Sequence, residues 1–328
     1  MKKTILFLTA MLFVVLSTFF GCAPTDENLI RLNEVTHSIF YAPQYLAESL
    51  GYFEEAGLKV ELTNGGGSDK SMTALLSNEA DVALMGPETV IFVSRQGRKD
   101  QPMIFGQLTK RDGSFLIGRT DEPNFDYSGL NGKEIIMGRK GGLPAMTLQY
   151  VLNQKGYRDG ENITMNYDIQ FNLTGPAFTS GQGDYVALFE PTASQLVNEG
   201  KGYVVSSVGA ASGEVPYTAY IATKSYIEKH PQKLEKFLTC IHKATNYLLT
   251  HDNAEVAALL LPHFVGTSKV DIQNALQSYR NNDTWVTAPS MKESSFERLQ
   301  DIMQNAGELT QRMAFSAAVD NSVADRIR

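Results

Sequence analysis

Residues 135–151, Ile-Ile-Met-Gly-Arg-Lys-Gly-Gly-Leu-Pro-Ala-Met-Thr-Leu-Gln-Tyr-Val, decide how the chain is read. Residues 135–137 read as the end of a buried strand, and Gly138 to Gly142 as a glycine-rich turn carrying Arg139 and Lys140. Pro144 falls at the first position of a helix, where its missing N–H costs nothing. Met146, Leu148, Val151 and Leu152 follow at roughly helical spacing, so the helix packs on the sheet. The glycines let the backbone approach a guest closely, and the helix start offers it free N–H groups. Taken alone, such a stretch is more often an ordinary tight turn with two solvated basic side chains.

The flanking sequence repeats the pattern. Before it come expected strands at 29–36, 58–62, 82–85, 103–108 and 114–117, with helices at 44–50, 69–78 and after Gly86-Pro87-Glu88. After it come strands at 164–169 and 184–189 and a returning strand at 217–223. Amphipathic helices follow at 225–250, 254–261, 270–280 and 292–305. Strands alternating with helices imply an α/β chain with mostly parallel sheets.

Lys2 and Lys3, an apolar run over 5–20 and then Gly21-Cys22 read as an export signal. The run is short for a membrane span. A small residue before a cysteine resembles the bacterial lipobox, which implies cleavage before Cys22 and a lipid on its thiol. Phe19 stands where that box usually has leucine. Loss of Lys2 and Lys3 takes the formal charge from −7 to −9, which argues against a nucleic-acid partner. With Cys22 acylated, Cys240 is alone, so neither an intramolecular disulfide nor a cysteine-based metal site is expected. The five histidines show no HExxH spacing, and P-loop and GxSxG motifs are absent.

Tyr41-Ala-Pro-Gln-Tyr-Leu-Ala47 and then Gly51-Tyr-Phe-Glu-Glu-Ala-Gly-Leu-Lys-Val60 resemble the opening of solute-binding proteins of ABC importers. The nearest group handles sulfonates, nitrate, taurine and thiamine-pyrimidine precursors. Gly65-Gly66-Gly67-Ser68, Glu79-Ala80-Asp81-Val82-Ala83, Gly129-Leu130-Asn131-Gly132-Lys133 and Pro231 follow in the expected order. The resemblance implies a type II periplasmic-binding-protein fold, with two α/β lobes, two crossovers and a ligand cleft between the lobes. The expected division is a signal peptide at 1–21, a lipid-anchored tether at 22–29, one lobe from 30–117 plus 217–328, and the other from 118–216. Crossovers are expected near 116–120 and 215–220.

Carried over by position, the resemblance implies that the first lobe brings His37, Ser38, Tyr41, Gly66, Gly67, Ser68, Pro87, Glu88 and Gln107 to the cleft. From the second lobe come Arg139, Gly141, Gly142 and Glu190, and Tyr217 follows on the return. Open α/β sheets bind ligands at the carboxyl ends of their strands, where these turns lie. Each residue also has a plainer use: Ser68 as a helix cap, Glu88 as a first-turn carboxylate, His37 as a satisfied polar group. Arg111, Arg139 and Lys140 would suit a sulfonate. Glu88, Glu190, Tyr41, Phe115 and Tyr217 would suit a planar nitrogen heterocycle, and Glu190 is the favoured acceptor. The expected function is a monomeric binding protein that delivers a small solute, preferably a thiamine-pyrimidine precursor-like heterocycle, to an ABC permease and its ATPase. No catalytic residue, cofactor or metal is expected. A eukaryotic thiamine-pyrimidine synthase shares the fold family, but its cysteine-rich iron motif is missing here. A receptor sensor domain would need a membrane span after residue 305, and none is read there.

Overall fold

A computed structural model describes residues 26–327. The expected signal peptide and Cys22 lie outside the described residues. The described chain forms two five-stranded sheets flanked by helices. The first has the order β2 (Lys59–Asn64), β1 (Leu29–Glu34), β3 (Val82–Met85), β10 (Thr218–Thr223), β4 (Pro102–Thr109). The second has the order β7 (Thr164–Asn166), β6 (Glu134–Ile136), β8 (Tyr185–Phe189), β5 (Ser114–Gly118), β9 (Tyr203–Ser207). Each sheet contains one strand antiparallel to its neighbours, β10 in the first and β5 in the second. Those are the two strands entered from the other sheet, β5 after residues 110–113 and β10 after the short helix Val208–Ser212.

The first link is shorter and earlier than the sequence implies. β5 pairs with β8 and β9, so the chain changes sheets between Thr109 and Ser114, before β5 rather than near 116–120. Residues 114–117 thus lie in the second sheet, not the first. Ser114–Gly118 is buried along its whole length, so its side-chain pattern does not reveal which sheet it joins. β9 has no counterpart in the sequence reading: Tyr203-Val204-Val205 is a short apolar run without the period-two alternation of a half-buried strand, and at the sheet edge Tyr203 and Val204 are exposed. The expected single helix at 225–250 is two helices, Lys224–Lys229 and Pro231–Thr250, broken before Pro231.

Period-two alternation divides the apolar side chains of the second sheet. Ile136, Ile117 and Val186 join the large core, while Ile135, Leu116 and Tyr185 join a smaller cluster on the opposite face. The large core continues from there through the first sheet into the C-terminal helices. Those helices do not serve one sheet alone. Lys269–Asn281 packs on Thr192–Asn198, and Glu293–Asn305 packs on Leu143–Gln154, the helix of the organising stretch. Among the described residues, no helix is long and apolar enough to cross a membrane.

Candidate functional site

The carboxyl ends of β1, β3, β4 and β8 converge with the start of β10 on a dense cluster of rings. Phe40, in the single turn after β1, lies at its centre. Its ring centroid is 5.6 Å from Tyr41, 5.8 Å from Phe189, 5.7 Å from Tyr217 and 5.1 Å from Tyr279. Phe40 and Phe189 therefore meet across the two sheets. The cluster is pinned from behind by Trp285, whose Nε1 donates to the Phe40 carbonyl at 2.9 Å. Gly113, at the end of the first link, makes room for it. A Cβ there would stand 2.4 Å from Phe40 Cε2.

Four acidic side chains border these rings; Glu34 is taken up by His37, Gln44 and Tyr45, and the other three are held differently. Glu190 is buried at the end of β8, followed by a cis bond to Pro191. Its Oε1 accepts from Ser194 Oγ at 2.9 Å and its Oε2 from Ser194 N at 3.0 Å. It thus holds the first turn of the helix Thr192–Asn198, which satisfies the cost of its burial locally. The expected free acceptor at this position is therefore already engaged. Glu88, first residue of the helix Glu88–Ser94, curls over Gly86, where a Cβ would stand 2.0 Å from its Oε2. That Oε2 is buried and has no hydrogen-bond partner. Burial pushes the Glu88 carboxyl up to about 7. Asp112, in the first link, is fully buried. Its Oδ1 accepts from Ser114 N and Ser114 Oγ, each at 2.6 Å, and its Oδ2 has no neighbour but the Tyr217 hydroxyl. Burial pushes this carboxyl, too, up to about 7.

Tyr217, directly before β10, is buried with its hydroxyl beside the Asp112 carboxyl and with no other partner. Burial, and then the neighbouring Asp112, drive its acidity down strongly; Tyr41 and Glu88 act on it as well. Tyr41 is buried beside Glu34 and Glu88, and its pKa is likewise raised, mainly by burial. Pro87 is buried and precedes the Glu88 helix as its cap residue. Tyr41, Pro87, Glu88, Glu190 and Tyr217 are thus brought together. A second pair of unpartnered buried atoms, Asn33 Oδ1 and Ser71 Oγ, lies beneath Gly65.

The other expected residues are placed elsewhere or already engaged. His37 stands between two acceptors, with Nδ1 2.8 Å from Glu34 Oε1 and Nε2 2.8 Å from the His263 carbonyl. Both ring nitrogens must donate, which makes the imidazolium the fitting form and raises its pKa, chiefly through the Glu34 bond. Replacing His37 with Gln should lower stability more at pH 5.5 than at pH 8.5. A raised histidine pKa adds stability below its unfolded value near 6.5 and loses it as pH rises through the folded value. Denaturant titrations at the two pH values check this, and ligand affinity should be unchanged.

Ser38 Oγ accepts from Phe40 N at 3.2 Å, capping the turn that carries Phe40 and Tyr41. Gly67, not Ser68, occupies the cap position of the helix Ser68–Leu76. The Gly66 and Gly67 N–H groups donate to Asn64 Oδ1 and the Val35 carbonyl, both at 2.9 Å. Gln107 is buried and donates to the Thr109 carbonyl at 3.0 Å. Arg139 is 67% exposed and pairs with Asp69 at 3.2 Å, joining the two glycine turns at the surface. Gly141 has φ +74° and faces Glu308, and Gly142 caps the helix Leu143–Gln154. Lys140 lies 5.8 Å from the Tyr167 ring.

Sequence reasoning missed Asp112, Phe40, Tyr279 and Trp285. An Asp-Gly pair after a strand carries the signal of a solvated turn, which conceals Asp112. Tyr279 arrives from a helix far along the chain, with no local motif to mark it.

The sequence profile described as NMT1/THI5 like matches residues 39–255. The putative binding protein YtlA of Bacillus subtilis is 40% identical over 298 residues, covering 91% of this chain and 89% of the relative. The 4-amino-5-hydroxymethyl-2-methylpyrimidine phosphate synthase of Aspergillus parasiticus is 28% identical over 66% of this chain and 65% of its own length. In fold, the chain resembles the periplasmic aliphatic sulphonate binding protein SsuA from Escherichia coli, with TM-score 0.73, 18% identity, and 92% and 100% of the two chains covered. The two-lobed periplasmic-binding architecture expected from the sequence is thereby matched. On the profile match and the YtlA relationship together, the chain belongs to the NMT1/THI5-like family.

Proposed function

We propose that the protein is the solute-binding component of an ABC importer and that its solute is a small planar nitrogen heterocycle with N–H donors. The observation that carries the choice of solute is Glu88 Oε2, a buried and unpartnered acceptor whose charge is felt by the Tyr41 and Tyr217 hydroxyls. Among the described residues no lysine or arginine is buried as a whole, and the one basic group beside the site with a buried, unpartnered N–H is Arg111, which also leans on Asp283, so an anion would meet more acidic than basic groups here. Ring faces from Phe40, Tyr41 and Tyr217 offer stacking surfaces. A sulfonate is the second reading. It draws on the fold likeness to SsuA and would rely on Arg111, Arg139 and Lys140 after a rearrangement. An enzymatic role fits less well, since the chain's only internal cysteine, Cys240, is buried and donates to the Tyr52 carbonyl.

Native mass spectrometry of protein purified from its own host tests the reading. A co-purifying heterocycle with ring nitrogen and an amino group is expected; a sulfonate or nitrate would overturn it. Because Glu88, Tyr41 and Tyr217 are all enclosed, the lobes must part to admit a solute and close again over it. Solute at about a hundred times its dissociation constant should add roughly 2.7 kcal/mol of stability. Small-angle scattering should show a smaller radius of gyration than the solute-free protein in solution. A tight ligand that leaves the radius unchanged would count against closure.

We propose further that a lipid on Cys22 anchors the mature protein at the extracytoplasmic face, beside the permease. Cys22→Ala should release the protein from the membrane fraction or block its processing. Unchanged fractionation and processing would refute the anchor.

A further inference from the structure

We propose that Asp112 is a second acceptor of this site and that it selects a ligand carrying a positive charge on nitrogen, as an ammonium or amidinium. The inference rests on the heterocycle reading above and narrows it to a cation. Asp112 belongs to the link between the sheets, outside the glycine turns of either sheet. Ser114 occupies Oδ1 through two bonds, while Oδ2 is buried facing the Tyr217 hydroxyl, and neither of those two oxygens has a partner outside the pair. The basic side chains nearest in sequence form no ion pair with it, although the Arg111 Nε is itself buried and unpartnered. Lys110 pairs with Asp283 at 2.9 Å, and Arg111 reaches the same carboxylate at 3.8 Å and the Gly209 carbonyl at 3.4 Å.

The site therefore holds two carboxyl groups, Glu88 with an unpartnered oxygen and Asp112 with an oxygen that meets only the Tyr217 hydroxyl, and neither is paired with a cation of the protein. Buried carboxylates are costly unless a positive partner is supplied. Both sit near the edge of ionisation at neutral pH, so a cationic ligand would hold them ionised and be held in turn. The faces of Phe40 and Phe189 add attraction for a cation and none for an anion. A neutral ring could satisfy Glu88 by hydrogen bonding but would leave the second carboxyl without a charge partner.

Calorimetric titration with two probes decides the matter. One is an aminopyrimidine bearing an aminomethyl arm, cationic at neutral pH; the other is the same ring bearing a hydroxymethyl arm. Wild type should bind the cation at least about tenfold more tightly, and Asp112→Asn should reduce that preference to about twofold or less. Equal or tighter binding of the neutral probe to wild type overturns the inference without needing a variant, and leaves the heterocycle reading standing. A preference that survives in a folded Asp112→Asn, checked by circular dichroism, removes Asp112 from the role. Binding of neither probe overturns both the inference and the heterocycle reading.

Discussion

Glu88→Gln should weaken ligand binding while making the ligand-free protein more stable. The substitution keeps the size of the side chain and removes the charge from an acceptor that is 4% exposed and unpartnered at Oε2. Loss of a charge-assisted bond should cost roughly 1.5–3 kcal/mol of affinity. The stability change has the opposite sign. Burial pushes this carboxyl up to about 7, so at pH 8 the folded protein bears the cost of an ionised, unpaired group. Removing it should raise stability by up to roughly 3 kcal/mol, the equivalent of its displacement from the ordinary value. Such opposed signs are the mark of a residue kept for binding rather than folding. Glu190→Gln should act differently, because Ser194 holds both of its oxygens. It should loosen the helix start and lower stability, with only a secondary effect on affinity. Thermal melts and titrations on the two variants separate the roles; a Glu88→Gln protein that binds as wild type would remove Glu88 from the site.

The second large effect is a fall in ligand-free stability between about pH 4 and pH 7, carried by Asp112 and Glu88. Both are acids whose folded values are raised. Below their unfolded values near 4 they are neutral in both states and cost nothing. As pH rises through that range the unfolded chain ionises first, so stability falls until the folded groups ionise near 7 and is level above. The penalties are roughly 4 kcal/mol for Asp112 and roughly 3 kcal/mol for Glu88 as upper figures. Other carboxylates contribute in the opposite direction, for example Asp69 and Glu214, whose values basic partners lower. The comparison must therefore be with the double variant Glu88→Gln, Asp112→Asn. Its stability relative to wild type should grow from pH 4 to pH 7 and then hold constant. A difference independent of pH would show that the two carboxyl groups are not buried as described.

The architecture was legible because strands and helices alternate with clear apolar runs, and because the glycine turns end strands where ligands bind. β3 is an uninterrupted apolar segment bounded by Asp81 and Gly86, and its expected ends coincide with the observed ones. The link between sheets was misplaced because β5 reads identically in either sheet. The composition of the proposed site was half legible. Tyr41, Glu88 and Tyr217 could be picked out as strand-end polar residues, but the sequence could not tell which carboxyl groups find a partner. Ser194 lies four residues after Glu190, a spacing that in hindsight marks a helix-capping pair. The positive charge of Arg139 and Lys140 promised an anion site, yet both side chains lie at the surface. Long-range partners such as Tyr279 and Trp285 leave no local pattern at all.

The central claim, an aromatic and acidic site for a nitrogen heterocycle, is tested most directly by titrating the wild-type protein with matched ligand panels. Trp285 is the chain's only tryptophan and lies 5.9 Å from Tyr279, so its fluorescence can follow occupancy alongside calorimetry. One panel consists of aminopyrimidines and related heterocycles with exocyclic N–H donors, the other of alkanesulfonates, taurine and nitrate. Saturable binding of at least one aminopyrimidine, with no response to the anions at the same concentrations, is the predicted result. Tight sulfonate or nitrate binding that is lost in Arg139→Gln and kept in Glu88→Gln would contradict it.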